Sequence, residues 1–248
     1  MRRTSSSRTR QSRFSAGAIG TGRTRSCGST GPRGCGNVAT IADRRPRDAD
    51  RTGRAGPDLP RLFVAVPVPA AVGIQVGRVI EDARRLLGDD ARRIRWVQLD
   101  GLHVTLRFLG PTPSDRVGEV AAALDRATEG APAFDVRFAG AGAFPAPDRP
   151  RALWLGIHEG AESLGGLAAA FETALGAAGW AVETRAFRSH LTVARTDGVR
   201  AGPAAALALE RAASGLDAAF RADRVVLYRS HLGSGPARYQ PLHEAQLG

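Results

Sequence analysis

Leu102-His103-Val104-Thr105-Leu106-Arg107-Phe108 and Ser189-His190-Leu191-Thr192-Val193-Ala194-Arg195 carry one short pattern twice, a His-x-Thr inside an alternating aliphatic run. Alternation of this kind is the period of a β-strand, in which residues i and i+2 share a face. His103, Thr105 and Arg107 are therefore expected on one face, with Leu102, Val104, Leu106 and Phe108 on the other. In the second copy His190 and Thr192 share a face, and Leu191 and Val193 share the opposite one. Each strand is expected to pack its aliphatic face into a core and present an imidazole beside a hydroxyl on the other. One His-x-Thr is a weak signal. Two copies, each followed by an arginine, in a chain of 248 residues with five histidines, are a much stronger one.

Outward from these strands the chain alternates. RLFVAV (61–66) reads as a strand ended by Pro67. Residues 70–87 place Val72, Val76, Val79, Ile80, Ala83 and Leu87 at helical spacing, with Gly88 as the stop. Strands are predicted at 94–97, 102–109, 134–139, 152–157, 190–195, 219–229 and 238–246. Helices are predicted at 114–128, 162–178 and 203–213. Alternating segments such as FDVRF and RYQPLHEAQL predict mostly antiparallel sheets with outer helices, hence an α+β fold in two similar lobes. No apolar run reaches the roughly 18 residues of a membrane span.

The charge is uneven. Residues 1–60 hold 13 arginines against four acids, +9, and residues 61–248 hold 22 against 20, +2; the chain contains no lysine. The net charge of +11 is therefore no general argument for a nucleic-acid partner, because it rests almost wholly on the first 60 residues. That Arg-, Ser- and Gly-rich stretch lacks the apolar periodicity of a folded unit and is expected to be a disordered tail. A start assigned too far upstream, a disordered arm and a targeting peptide remain its three readings. Cys27 and Cys35 both fall there, with no histidine near to complete a zinc site. The cysteine-free remainder is compatible with a reducing cytoplasm. No G-x-S-x-G elbow is present for a serine hydrolase.

LHVTLRFLG and FRSHLTVAR resemble the paired H-x-T-x motifs of the 2H phosphoesterase superfamily, and within it the RNA 2′,3′-cyclic phosphodiesterases, also called 2′-5′ RNA ligases. RLFVAVPVP, RWVQLDGLHVTLRFLG, GAFPAPDRPRALWLGI and RVVLYRSHLGSGPARYQPL extend the resemblance over about residues 61–247. One departure is Ser189, where many members have proline. The resemblance implies two lobes related by a pseudo-twofold axis, with one motif strand on each side of a cleft. It also implies opening of a 2′,3′-cyclic phosphate at an RNA 3′ end to leave a 2′-phosphate, with His103 as proton donor, His190 as proton acceptor and Arg195 as a phosphate ligand.

The residues suit that chemistry. Two imidazoles can serve as acid and base near neutral pH, and Thr105 and Thr192 can donate hydrogen bonds to the non-bridging oxygens. Arg107 is a further substrate-binding candidate through its shared face with His103. Phe144 is expected to be a core aromatic, with base stacking as its alternative role. No cofactor and no metal are expected, since neither motif offers a third ligand. The expected partner of this monomer is RNA bearing 2′,3′-cyclic phosphate ends, with no membrane. Rival readings are ATP-independent 2′-5′ ligation at the same site, a non-catalytic RNA-binding protein, and a phosphodiesterase for small cyclic nucleotides.

Overall fold

The computed structural model describes residues 59–231 and 237–248. The tail, with Cys27 and Cys35, lies outside these except for Leu59 and Pro60. The Pro60 carbonyl accepts a hydrogen bond from the Thr112 amide, 2.9 Å.

The first strand, β1 (Arg61–Pro67), is buried almost throughout. Its two edges pair with the later strands His103–Pro111 and Arg224–His231, and residues of both faces, Leu62, Val64 and Val66 on one and Phe63 and Ala65 on the other, are buried. Pro69 then opens α1 (Ala70–Leu87), which buries Val72, Val76, Val79, Ile80 and Ala83 and stops at Gly88, φ +58°. Gly77 lets this helix approach the next segment closely: a β-carbon there would stand 2.8 Å from Leu99 Cδ1. A two-residue strand β2 (Arg95–Trp96) and a single 3-10 turn at Leu99–Gly101 lead into β3 (His103–Pro111). Next come α2 (Val117–Thr128), β4 (Phe134–Phe144), β5 (Ala152–Glu159), α3 (Ala161–Ala177), β6 (His190–Arg195) and α4 (Gly202–Ala212). The chain ends with β7 (Ala218–Ala222), β8 (Arg224–His231) and β9 (Arg238–Gln246).

All strand pairs are antiparallel and form two sheets, ordered β3-β1-β8-β9 and β2-β6-β5-β4-β7. The succession β1-α1-β3-α2 recurs as β5-α3-β6-α4, with β3 on β1 and β6 on β5. The helices pack crosswise, α1 against α4 and α2 against α3. Exchanging the two halves maps these contacts onto each other, which is the pseudo-twofold relation the resemblance implied. One continuous core, from Leu62 and Val64 through Leu124, Phe138, Phe171 and Leu191 to Leu227, underlies both sheets.

The strand expected at 94–97 shortens to the two residues of β2, and two other predicted strands change more. The single strand expected at 219–229 breaks at Asp223 into β7 and β8, which belong to different sheets. In β7 alternate residues are buried, whereas central β8 buries Val225, Val226 and Leu227 in succession. The strand expected at 134–139 runs on to Phe144, through an irregularity containing Gly140 at φ +68°. Among the described residues no helix is long and apolar enough to cross a membrane.

Candidate active site

β3 and β6 approach each other where the two sheets meet. The strand alternation sets the faces at the start of each motif: Leu102, Val104 and Leu106, and Leu191 and Val193, are buried. His103, Thr105, His190 and Thr192 are half-buried on the opposite faces.

The two imidazoles are held alike. His103 Nδ1 lies 2.7 Å from the Gly101 carbonyl, and His190 Nδ1 lies 2.7 Å from the Arg188 carbonyl. A carbonyl only accepts, so Nδ1 donates in both, and the neutral rings keep their lone pair on Nε2. An aromatic ring stands edge-on to each at 5.0 Å, Tyr239 to His103 and Phe144 to His190. Phe63 and Tyr228 complete the wall around His103, and Trp154 stands 6.3 Å from His190.

Burial among these rings disfavours the charged form and lowers both imidazole pKa values below the usual 6.5. For His103 the hydrogen bond to Gly101 opposes this, and the charges of Arg195 and His190 add to it. For His190 the Arg188 hydrogen bond opposes it, and the charges of Arg188 and Arg195 add to it. Tyr228 and Tyr239 are raised, again chiefly by burial.

Beyond the threonines, the register changes the expected faces. Thr105 pairs with Ala65, but Arg107 pairs with Val64 and Phe108 with Phe63. Leu106 is the extra residue of a β-bulge, which reverses the parity that follows it. Arg107 is thereby turned away from His103, correcting the expectation of a shared face. Its guanidinium meets Glu172 of α3 at 2.9 Å and Glu183 at 3.2 Å, and donates to the Ala181 carbonyl at 2.9 Å. Phe108 takes the place expected for Arg107. It is 59% exposed and lies 5.8 Å from Phe63, not in the core face to which alternation assigned it.

β6 repeats the device. Thr192 pairs with Trp154, then Ala194 with Leu153 and Arg195 with Ala152. The bulge returns Arg195 to the face of His190 and Thr192. Phe108 and Arg195 are thus counterparts, each five residues past its histidine.

Phe144, expected in the core, instead lines a cavity of about 480 Å³ beside His190, together with Trp154, Phe187 and Arg188. The Arg188 guanidinium sits over the Phe144 ring at 5.1 Å. Tyr228, Tyr239 and Arg188 were not anticipated. The tyrosines lie more than 120 residues from His103, so no local pattern marks them. Arg188 supplies the carbonyl two residues before its histidine, as Gly101 does. His231 bonds Gln240 at 3.0 Å and His243 bonds Asp125 at 2.6 Å, while His158 is exposed. Among the described residues no three His, Cys, Asp or Glu side chains cluster as metal ligands would.

The family model described as the 2′-5′ RNA ligase superfamily matches residues 72–234. An RNA 2′,3′-cyclic phosphodiesterase of Archaeoglobus fulgidus is 33% identical over 135 residues, which are 54% of this chain and 72% of that protein. One of Aeropyrum pernix is 35% identical over 111 residues, 45% of this chain and 62% of that protein, just under two thirds of its length. Among solved structures, E. coli LigT complexed with 3′-AMP matches with a TM-score of 0.59 at 25% identity, covering 76% of this chain and 98% of that one. A protein of Thermus thermophilus also gives 0.59, at 22% identity, and covers 75% and 97%; it bears on the fold alone.

Proposed function

The chain belongs to the 2′-5′ RNA ligase superfamily, and from that premise we propose that its cleft opens the 2′,3′-cyclic phosphate at an RNA 3′ end and leaves a 2′-phosphate. One observation carries the reading. Two imidazoles on touching strands are both pinned at Nδ1 by a backbone carbonyl, which leaves two free Nε2 atoms as the working nitrogens.

In the proposed step, water attacks phosphorus as the P–O3′ bond breaks on the opposite side. His190 Nε2 takes the proton from water, and His103 Nε2–H gives one to O3′. Exchange with solvent then resets both rings. The Thr105 and Thr192 hydroxyls and the Arg195 guanidinium stabilise charge on the non-bridging oxygens. Both rings lean toward neutrality in the free site, which suits the base. The acid needs its proton, and the anionic substrate favours it, because a negative charge nearby raises an imidazole pKa. No metal or cofactor enters the scheme. Residues 61–248 are the proposed catalytic unit, with 1–60 outside it.

Phosphorus NMR of the products from a 2′,3′-cyclic-ended RNA, with excess chelator, tests this. A 2′-phosphomonoester is expected. A 3′-phosphomonoester, or turnover that vanishes with chelator and returns with one divalent ion, overturns it.

The cavity beside His190 favours a second reading, in which a 5′-hydroxyl takes the place of water and a 2′-5′ bond forms. Adding a 5′-hydroxyl oligonucleotide and measuring joined product against hydrolysis distinguishes the two.

A further inference from the structure

β2 is the edge strand of the five-stranded sheet, and its two residues point opposite ways. Trp96 packs toward the core and its Nε1 donates to the Ala91 carbonyl at 3.3 Å. The ladder continues past it, since the Val97 amide donates to the Val193 carbonyl at 3.0 Å. Arg95 must then project from the other face, held by an anchored strand. Its directly paired neighbour across the ladder is Arg195. Residues paired in this way share a face, so Arg95 stands beside Arg195 on the cleft side of the sheet, both of them exposed.

Two like charges directly opposite on neighbouring strands are destabilising unless something neutralises them. Among the described residues, neither guanidinium has a carboxylate within ion-pair distance. Other described arginines do have carboxylate partners, as Arg107, Arg116, Arg137 and Arg185 have. A cationic pair left open beside a catalytic cleft calls for an anionic ligand. Guanidinium geometry suits phosphate oxygens in particular, with two parallel N–H donors from each side chain.

We propose that Arg95 and Arg195 form a two-arginine clamp for RNA phosphates, in which Arg195 faces the reacting cyclic phosphate and Arg95 holds the phosphodiester immediately upstream of the terminal nucleotide. Arg95 belongs one strand further out, about 4.8 Å from β6, and so reaches past the reacting group along the chain. The clamp makes the site a reader of polynucleotide ends in preference to free cyclic mononucleotides. It adds affinity without sequence preference, because a phosphodiester is common to every step of the chain.

This inference rests on the proposed cyclic-phosphate reading, so its test uses binding and keeps turnover separate. The probes are a mononucleoside 2′-phosphate and a dinucleotide ending in a 2′-phosphate, titrated by calorimetry into the full chain and into Arg95→Ala. The wild type is expected to bind the dinucleotide about tenfold more tightly, the weight of one charge-assisted contact. In Arg95→Ala this ratio should fall toward one, and the salt dependence of dinucleotide binding should lose about one unit of slope. Arg95→Lys should recover part of the ratio. A ratio unchanged in Arg95→Ala overturns the clamp. Turnover of the corresponding cyclic-ended dinucleotide is measured in parallel. A chain that shows the Arg95-dependent preference but hydrolyses nothing supports the clamp and overturns the activity.

Discussion

The lobe of His103 and the lobe of His190 share a frame and differ in what surrounds it. Each offers His-x-Thr on a strand, a backbone carbonyl on Nδ1, an edge-on ring at 5.0 Å and a β-bulge past the threonine. Around His103 the bulge delivers the exposed Phe108, and Phe63, Tyr228 and Tyr239 wall the imidazole in. Around His190 it delivers Arg195, with Arg188 and an open cavity close by. The repeated backbone sets where two imidazoles can stand, and the unrepeated side chains make their surroundings unequal. A symmetric pair of motifs can thus support an asymmetric reaction, with an apolar surface on one side and positive charge on the other.

The sharpest way to break this comparison is to remove each histidine. His103→Ala and His190→Ala should each lower kcat by about 10²-fold or more. A substrate with an aryloxide leaving group needs no proton on departure. It should restore His103→Ala toward wild-type rates and leave His190→Ala impaired. Equal rescue of both variants would mean that the two roles are not divided between the lobes.

Next in size is the exchange of counterparts. Arg195→Ala should cost about 10²-fold in kcat/KM on any cyclic phosphodiester, since it strips charge stabilisation from the reacting group. Phe108→Ala should raise KM about tenfold, the scale of one lost base–aromatic contact, but only for substrates that carry a base. An abasic cyclic phosphate turned over equally by wild type and Phe108→Ala, with Arg195→Ala still defective, is the expected kinetic pattern. A loss in Phe108→Ala that persists without a base would assign Phe108 to packing alone.

Periodicity made much of the fold legible. The helix 70–87 and the strand 190–195 fall where the spacing of Val72, Val76, Val79 and Ala83 and the alternation of HLTVAR place them. The two histidines and two threonines were legible for the same reason, because a strand's parity holds over two residues without help from its neighbours. It does not hold over five. A bulge is fixed by the register with the partner strand, so Arg107, Phe108 and Arg195 could not be placed on their faces from local sequence. The crossing at Asp223 was hidden likewise, since β7 and β8 read as one run until each finds its own sheet. Arg107 also shows what the bulge gains: turned over, it ties β3 of one lobe to Glu172 of the other and to Glu183 in the segment leading to His190. Arg107→Ala leaves Glu172 without its counter-charge, while Glu183 keeps Arg185, and should lower Tm by roughly 5–10 °C, read by calorimetry, with a smaller effect on the leaving-group response than either histidine variant.

The smallest expected effect compares the two lobes through pH. Both imidazoles have folded-state pKa values below the ordinary 6.5, principally because the rings are buried. The unfolded chain therefore binds more protons than the folded one as pH falls through 6.5. Stability then rises with pH, so the neutral rings' contribution is full above about 6.5 and is lost as pH falls toward their folded values. For kcat/KM, which reports the free site, the same shifts place the optimum on the acid side of 6.5. Arg195 lowers both rings by its charge, so Arg195→Gln should move the whole profile toward alkaline pH. The surroundings differ, because His103 is walled by three rings and His190 borders an open cavity. His103→Gln, which cannot charge, should thus remove more of the acid-side loss of stability than His190→Gln. Urea midpoints at pH 7 and pH 5 measure this directly. If the two variants flatten the pH dependence equally, the aromatic wall around His103 does not desolvate its ring more than the cavity side does. The asymmetry of the site would then rest on Phe108 on one side and Arg195 and Arg188 on the other.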